Sequence, residues 1–223
     1  MTDALRGGLI VSIQPAAGSA LESPEIVAAL ARCAVANGAA GVRIEGTARI
    51  AAVRAAIDAP LVGILKRAVA GFEPYITATL ADVEAALAAG ASIVATDATG
   101  RSRSDGSTFE EAVRAIRRGG ALAMADCATF EDARRAAAAG AEIVATTLCG
   151  YTAATKGTAL PALDLLRAMK PLGAFTICEG GIGSPAGVAE AFEAGADAVV
   201  VGTALTDLDG RIRRFAAAAP RGR

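Results

Sequence analysis

Polar residues repeatedly follow apolar segments of this chain, at places where buried strands would end. Six positions share this arrangement: Gln14, Arg43, Lys66, Asp97, Asp126 and Glu179. In a parallel barrel the carboxyl ends of the strands and the loops after them converge on one face, which carries the active site. The pattern therefore predicts an enzyme.

Lys66 follows the apolar segment LVGIL and is the leading candidate for proton transfer. In a barrel mouth, desolvation lowers the pKa of an ammonium group towards neutrality. The structural alternatives are a lysine that extends to solvent at a strand end, or one that forms an ion pair with Asp97 or Asp126. The neighbouring Arg67 is interpreted as the solvated residue of the two.

Glu179 ends the segment AFTIC and leads directly into the glycines of CEGGIGSP. Backbone N–H groups near a helix N-terminus bind phosphate after strands seven and eight of many barrels. Gly180 and Gly181 would form one half of such a site, and Gly202 and Thr203 in VVVGTAL the other half. The alternative is ordinary turn chemistry, because glycine is common after strands.

The other polar positions have weaker interpretations. Arg43 offers a fork for a carboxylate or phosphate, and Asp126 offers an acceptor for sugar hydroxyls, although each suits a salt bridge equally well. Tyr151 would close over a ligand or pack on the rim. Asp97 would turn the chain or hold the lysine, and Glu45 is expected to point away from Arg43 to solvent.

The composition excludes several classes of function. The chain has 223 residues, a formal net charge of -1 and no histidine, so histidine-dependent nucleophiles, metal ligands and proton relays are excluded. Its four cysteines form no CxxC pair and are expected to be reduced thiols, with no metal or cofactor. Without a basic patch or a long apolar run, we expect a cytoplasmic protein that binds neither nucleic acid nor membrane.

Eight apolar, strand-like segments alternate with eight helical patterns. This alternation predicts a single-domain (β/α)8 TIM barrel of the α/β class over residues 1–223. An open doubly wound sheet is less favoured, because no GxGxxG follows the first strand. The strands are predicted near Leu9–Ile13, Gly41–Ile44, Leu61–Leu65, Ile93–Thr96, Leu122–Ala125, Ile143–Thr146, Phe175–Cys178 and Ala198–Val201. The helices are predicted near Pro24–Ala36, Thr47–Ile57, Leu80–Ala89, Phe109–Arg118, Phe130–Ala139, Ala162–Met169, Pro185–Ala194 and Asp207–Ala217.

A partial repeat agrees with this alternation. LAAGASIVAT, AAAGAEIVAT and FEAGADAVVV each place a helix end, a glycine and a strand in the same order, and VANGAAGVRI is a looser copy. The glycine of each copy is expected to adopt the left-handed conformation that ends a helix. Ser23 and Ser184, each before a proline, are predicted helix N-caps.

Several of these stretches resemble the N-acetylmannosamine-6-phosphate 2-epimerase family, the bacterial NanE-type enzymes of sialic acid catabolism. The similar segments are SIQP, GVRIEG, APLVGILKR, ITATLADVEA, DATGRSR, MADCATFEDA, GAEIVATTLCGYT, CEGGI and VVVGTALT, which cover residues 12 to 206 in order. The combination of TTLxGYT with KR and MADC is more specific than any general barrel motif.

The resemblance implies a C2 epimerase of a phosphorylated amino sugar that needs no cofactor. It makes Lys66 and Glu179 the acid/base pair. It assigns the sugar to Gln14, Arg43 and Asp126. The phosphate would bind the backbone around Gly180, Gly181, Gly202 and Thr203.

The chain departs from the family pattern at two positions expected near the phosphate. Gly181 and Asp207 stand where the family usually has arginine. Phosphate binding is therefore expected to depend mainly on the backbone and to be weaker, and Gly181→Arg to tighten it.

Two other functions remain open. The first is a Schiff-base aldolase in which Lys66 bonds covalently to a phosphorylated sugar. The second is a phosphosugar-binding barrel without turnover, for which the missing arginines are the main support. The oligomeric state is also open, and a homodimer is one option.

Overall fold

The computed structural model describes residues 1–220, and the last three residues of the predicted domain lie outside this part. Eight parallel strands form a closed barrel in which spatial order follows chain order and β8 pairs with β1. The predicted closed barrel is confirmed, and the open sheet is wrong. The strands are β1 Gly8–Ile13, β2 Gly41–Glu45, β3 Leu61–Ile64, β4 Ile93–Asp97, β5 Leu122–Asp126, β6 Ile143–Ala145, β7 Phe175–Glu179 and β8 Ala198–Val201.

All eight predicted helices are present, with ends that differ by no more than three residues. Two additional helices of four residues each were not predicted, because one turn shows no helical period. Within residues 1–220 the α-helices are α1 Thr2–Leu5, α2 Pro24–Ala36, α3 Thr47–Arg54, α4 Leu80–Ala88, α5 Phe109–Arg118, α6 Phe130–Ala138, α7 Leu163–Met169, α8 Pro185–Glu193, α9 Thr203–Thr206 and α10 Leu208–Ala218.

Local signals set the helix ends as predicted. The Ser23 hydroxyl accepts a hydrogen bond from the N–H of Ile26 at the start of α2, and Ser184 caps α8 in the same way through Gly187. The four repeat glycines, at positions 38, 90, 140 and 195, have φ values between 90° and 103°. Each therefore turns the chain from a helix into the following strand.

The period of two along each strand divides side chains between the barrel interior and the helices. Ile64 and Ile177 belong to a fully buried cluster inside the barrel, whereas Ile44 packs in the cluster that includes the surrounding helices. Lys66 and Glu179 lie two residues after these interior isoleucines. Their side chains therefore start on the inner face, just above the apolar core.

The cysteines agree with the expectation of reduced thiols. Cys127, Cys149 and Cys178 are buried and free, and Cys33 is free on the surface. Within the described part of the chain, no helix has both the length and the apolarity needed to cross a membrane.

Candidate active site

A cavity of about 990 Å³ opens at the carboxyl end of the barrel. Its wall includes nine of the ten residues that the sequence analysis assigned to the site, and the exception is Asp126. The nine are Gln14, Arg43, Lys66, Tyr151, Glu179, Gly180, Gly181, Gly202 and Thr203. Strand ends that are far apart in sequence are thus brought together.

Arg43 forms the floor of the cavity and contacts two carboxylates. Its Nη2 lies 2.7 Å from Asp126 Oδ2, and its Nη1 lies 3.1 Å from Asp126 Oδ1. The same Nη1 lies 3.0 Å from Glu179 Oε2. Although burial opposes the charge, these carboxylates raise the pKa of Arg43, which therefore stays a cation.

Asp126 occupies a different place from the one expected. Its side chain is fully buried and lies beneath the cavity, where the bidentate contact with Arg43 uses both carboxylate oxygens. Of the two interpretations that the sequence left open, this geometry supports the salt bridge. Its effect on a substrate would pass through the position of the Arg43 guanidinium.

Thr147 completes the polar floor and was not singled out in the sequence. Its Oγ lies 2.7 Å from Asp126 Oδ1 and 3.1 Å from Glu179 Oε2. Because a hydroxyl has one proton, it can donate to only one of these oxygens at a time. The neighbouring Thr146 fixes the main chain of Glu179, since its Oγ donates to the Glu179 carbonyl and accepts from the Glu179 N–H.

Glu179 lies at the boundary between the core and the cavity, with 13% of its side chain exposed. Burial raises its pKa, the positive charge of Arg43 opposes that rise, and the negative charge of Asp126 adds to it. The net direction is upward, so Glu179 holds a proton more readily than an ordinary glutamate. This property suits a residue that must both accept and release a proton.

Lys66 lies across the cavity from Glu179. Main-chain hydrogen bonds on both sides of it, from Arg67 N–H to Tyr75 O at 2.9 Å and from Thr77 N–H to Leu65 O at 2.7 Å, fix its position. Lys66 is exposed to the open cavity, and its partial burial at the barrel mouth and then the charge of Arg43 lower its pKa. A lowered pKa favours the neutral amine that a base requires.

Of the two structural alternatives for Lys66, the structure is compatible with a side chain exposed to solvent but not with the ion pair. Within residues 1–220, Asp97 pairs with Arg101 and Asp126 with Arg43, and Lys66 forms no ion pair with either carboxylate. Asp97 also accepts from Thr99 N–H at 2.9 Å and so turns the chain, one of its two predicted roles.

Arg67 is largely solvated, as expected, with one contact to Asp82. The expectation for Glu45 was wrong, because residues two apart on a strand share a face. Glu45 follows Arg43 by two residues, and its carboxylate is paired with Arg49 at 2.6 Å. It is close enough to Lys66 for its charge to oppose the lowering of the lysine pKa.

Gln14 presents an unused acceptor at the cavity. Its Nε2 donates to Ser12 Oγ at 2.7 Å, and its buried Oε1 has no hydrogen-bond partner within residues 1–220. Buried polar atoms are almost always paired, so such an atom beside a cavity favours a donor on a ligand. Arg43 Nε is a buried donor that also has no hydrogen-bond partner within residues 1–220.

The sequence analysis missed Tyr75, which also lines the cavity. Tyr75 belongs to the loop after β3, beyond the strand end that the apolar pattern identifies. The antiparallel bridge between Lys66 and Ile76 brings this loop back over the barrel mouth. No period or motif in the sequence predicts that bridge.

The two glycine loops have the free donors that an anion site needs. Within residues 1–220, the backbone N–H groups of Gly180, Gly181, Gly202 and Thr203 have no hydrogen-bond acceptor. All four residues line the cavity, on the loops after the neighbouring strands β7 and β8. The geometry is thus compatible with a phosphate held by main-chain donors.

Gly181 cannot carry a longer side chain in its present conformation. Its φ is +73°, and a Cβ atom would overlap the Leu160 side chain and approach the Leu160 carbonyl carbon to 3.1 Å. An arginine at this position would displace Leu160 before it could reach an anion. We therefore expect Gly181→Arg to distort the loop, and not to tighten phosphate binding as the sequence suggested.

Asp207, the second departure from the family pattern, begins a helix that carries other cations to the cavity. Asp207 accepts from Gly210 N–H at 2.8 Å and caps α10. One and two turns further along, Arg211 and Arg214 line the cavity. Neither could be assigned to the site from sequence, because α10 continues beyond the barrel strands.

The closed barrel, with a lysine and a glutamate above a buried ionic floor, defines a (β/α)8-barrel enzyme. Residues 27–220 match the family model described as "Putative N-acetylmannosamine-6-phosphate epimerase". A "Putative N-acetylmannosamine-6-phosphate 2-epimerase" of Yersinia pestis is 45% identical over 205 residues, which cover 92% of this chain and 87% of that protein. The chain belongs to the N-acetylmannosamine-6-phosphate 2-epimerase family, as the resemblance predicted.

Solved structures agree with this assignment. The N-acetylmannosamine-6-phosphate 2-epimerase from Clostridium perfringens superposes with a TM-score of 0.93 at 35% identity, covering 98% of this chain and 96% of that one. A structure titled "Native KDPGal structure", at 18% identity and a TM-score of 0.64, covers 94% of this chain and 89% of that one and shows the fold alone. The family does not favour the aldolase or the non-catalytic alternative.

Proposed function

We propose that this enzyme converts N-acetylmannosamine 6-phosphate to N-acetylglucosamine 6-phosphate by moving a proton at C2. Lys66 and Glu179 would be the acid/base pair. The main support is their placement after β3 and at the end of β7, because strands four apart in an eight-stranded ring are opposite each other. A sugar carbon between them would meet one group on each face.

The reaction begins with the open-chain form of the sugar, whose C1 aldehyde makes the C2 proton acidic. One residue of the pair removes this proton, and the electrons of the C2–H bond move into the C1 carbonyl to give an enolate. The other residue then delivers a proton to C2 from the opposite face. After the reaction the first residue carries a proton and the second has lost one, which is the arrangement that the reverse reaction requires.

Charge develops on the C1 oxygen in the enolate, and a fixed cation nearby would stabilise it. Arg43 suits this role, because its charge is secured by Asp126 and its Nε–H has no acceptor within residues 1–220. Gln14 Oε1 would accept from a sugar hydroxyl or from the N-acetyl amide. Tyr151, which is 59% exposed at the rim, would cover the bound sugar.

The phosphate would bind the free N–H groups of Gly180, Gly181, Gly202 and Thr203. These groups lie on the loops after β7 and β8, beside Glu179, so an anchored phosphate would place the other end of the sugar over the polar floor. Residues 1–223 as one domain, a location in the cytoplasm and a homodimer stay predictions from the sequence.

Proton NMR in D2O with N-acetylmannosamine 6-phosphate tests this function. We expect N-acetylglucosamine 6-phosphate to form with deuterium at C2, because the delivered proton comes from a group that exchanges with solvent. Absence of conversion would contradict the epimerase function. Conversion with full retention of the original C2 proton over many turnovers would contradict deprotonation with solvent exchange.

A further inference from the structure

Helix α10 brings two arginines to the end of the cavity where the glycine loops lie. Arg211, Arg214 and Phe215 all line the cavity, and their spacing of three and four residues places them on one face of the helix. The chain between α10 and β8 is only the short helix α9, so this face lies close to the loop of Gly202 and Thr203.

Arg211 is fixed beside the Gly202–Thr203 loop. Its Nη1 donates to the carbonyl of Ala204, the residue after Thr203, at 2.6 Å. A guanidinium carries five N–H donors in a planar fork, so this one bond leaves others for a second acceptor. Within residues 1–220, neither Arg211 nor Arg214 forms an ion pair.

The other cations of the cavity are committed elsewhere. Arg43 contacts Asp126 and Glu179 on the floor, and Lys66 lies on the opposite side, at the end of β3. The rim near α10 also carries Asp207 and Asp209, whose negative charges would repel an anion. An anion at the glycine loops therefore needs a cation from α10 to offset these carboxylates.

We propose that Arg211, assisted by Arg214, binds the phosphate group of the substrate together with the backbone N–H groups of the two glycine loops. This inference rests on the proposed function and adds the residues that select a phosphorylated sugar. Arg211 supplies the bidentate fork, and Arg214 contributes charge from one turn further along. The helix thereby compensates for the absence of an arginine at positions 181 and 207.

The test compares Arg211→Gln, Arg214→Gln and the matched control Arg213→Gln, which changes an exposed arginine of α10 that does not line the cavity. With N-acetylmannosamine 6-phosphate, we expect KM to rise about tenfold in Arg211→Gln, equivalent to about 1.4 kcal/mol. A smaller rise is expected in Arg214→Gln and no change in the control. The value of kcat should stay close to that of the wild type, because neither arginine contacts the reacting carbon.

Arg211→Lys separates the fork from the charge and should recover part of the lost affinity. If KM rises equally in all three glutamine variants, or in none of them, the proposal is overturned. A large fall in kcat with unchanged KM in Arg211→Gln would also overturn it.

Calorimetric titration with inorganic phosphate keeps this test independent of turnover. We expect the wild type and Arg213→Gln to bind phosphate, and Arg211→Gln to bind it about tenfold more weakly. If the wild type binds phosphate in this Arg211-dependent way but does not epimerise the sugar, only the proposed function fails. If it epimerises the sugar and Arg211→Gln binds phosphate normally, only the role of Arg211 in phosphate binding fails.

Discussion

Arg43 Nη1 lies 3.0 Å from Glu179 Oε2, and this contact joins the second and seventh strands across the barrel. The guanidinium also holds Asp126, so one positive charge is shared by two carboxylates. With both carboxylates ionised the group has a net charge of about -1, which favours binding of a proton. Burial raises the pKa of Glu179, the charge of Arg43 opposes that rise, and the charge of Asp126 adds to it.

Loss of either residue of the proposed acid/base pair should abolish most turnover while preserving the fold. We expect Lys66→Ala and Glu179→Gln each to lower kcat by about 10²-fold or more, the usual effect of losing a general acid or base. Lys156→Ala is a matched control, because Lys156 is exposed and does not line the cavity. Steady-state kinetics and circular dichroism check this, and near-normal turnover in either variant removes that residue from the mechanism.

The buried pair of Arg43 and Asp126 should be essential for stability. Asp126→Asn removes the negative charge beside a guanidinium that is only 1% exposed. Breaking a buried pair costs roughly 3–5 kcal/mol, and the remaining contact with Glu179 places the expected loss near the lower end of that range. Urea unfolding measures the free energy of unfolding.

Asp58→Asn provides the comparison for that loss. Asp58 is fully exposed and 3.9 Å from Arg54, so its replacement should leave the free energy of unfolding almost unchanged. Equal stability of the two variants would show that the Arg43–Asp126 contact does not stabilise the fold.

The sequence predicts the site residues that local patterns identify, but it does not predict contacts between distant strands. Strand ends identify Lys66 and Glu179, because a continuously apolar segment followed by a charged residue is a local signal. The contact of Arg43 with Asp126 depends on barrel closure, which brings β2 and β5 within the reach of one side chain. No local sequence pattern specifies the distance between β2 and β5. The sequence therefore did not decide whether Asp126 binds the sugar or forms an ion pair.

Residues outside the strand ends were harder to predict. Thr147 lies just after the three-residue strand β6, where nothing distinguishes it from Thr146. Arg211 lies in a helix whose placement over the cavity depends on the unpredicted turn of α9. The fold follows from repeated local signals, whereas the floor and rim of the site follow from tertiary placement.

The pH dependence of kcat/KM should show two limbs. The burial-lowered pKa of Lys66 and the burial-raised pKa of Glu179 move towards each other. Because one group of the pair must be protonated and the other not, activity should fall at low pH when both are protonated and at high pH when neither is. We expect the acid limb above the ordinary pKa of glutamate and the alkaline limb below the ordinary pKa of lysine.

Thr147→Val tests the assignment of the acid limb. The Thr147 hydroxyl bond to the ionised carboxylate lowers the pKa of Glu179, so its loss should raise that pKa. A hydrogen bond to a charged group is worth about 1.5–3 kcal/mol, and sharing it with Asp126 reduces the expected shift to about one pH unit. An acid limb that stays in place in Thr147→Val would show that it does not report Glu179.

The loop after β7 allows two glycines to be compared within three residues. Gly181 has φ +73°, and a Cβ atom there would overlap Leu160. Gly183 has no atom within 4 Å of a Cβ built on it, and its φ lies outside the left-handed region. We expect Gly181→Ala to lower the free energy of unfolding by roughly 1–3 kcal/mol through backbone strain, with further loss from displacement of Leu160. Gly183→Ala should leave it almost unchanged.

The two glycine variants should also differ in substrate binding. Displacement of the loop in Gly181→Ala would move the N–H groups of Gly180 and Gly181 that we assign to the phosphate, so its KM for the 6-phosphate should rise several-fold. Gly183→Ala keeps the loop in place, and its KM should match that of the wild type. Thermal unfolding and steady-state kinetics on the two variants check both expectations. A stable Gly181→Ala variant with an unchanged KM would show that this loop neither depends on glycine at position 181 nor holds the anion.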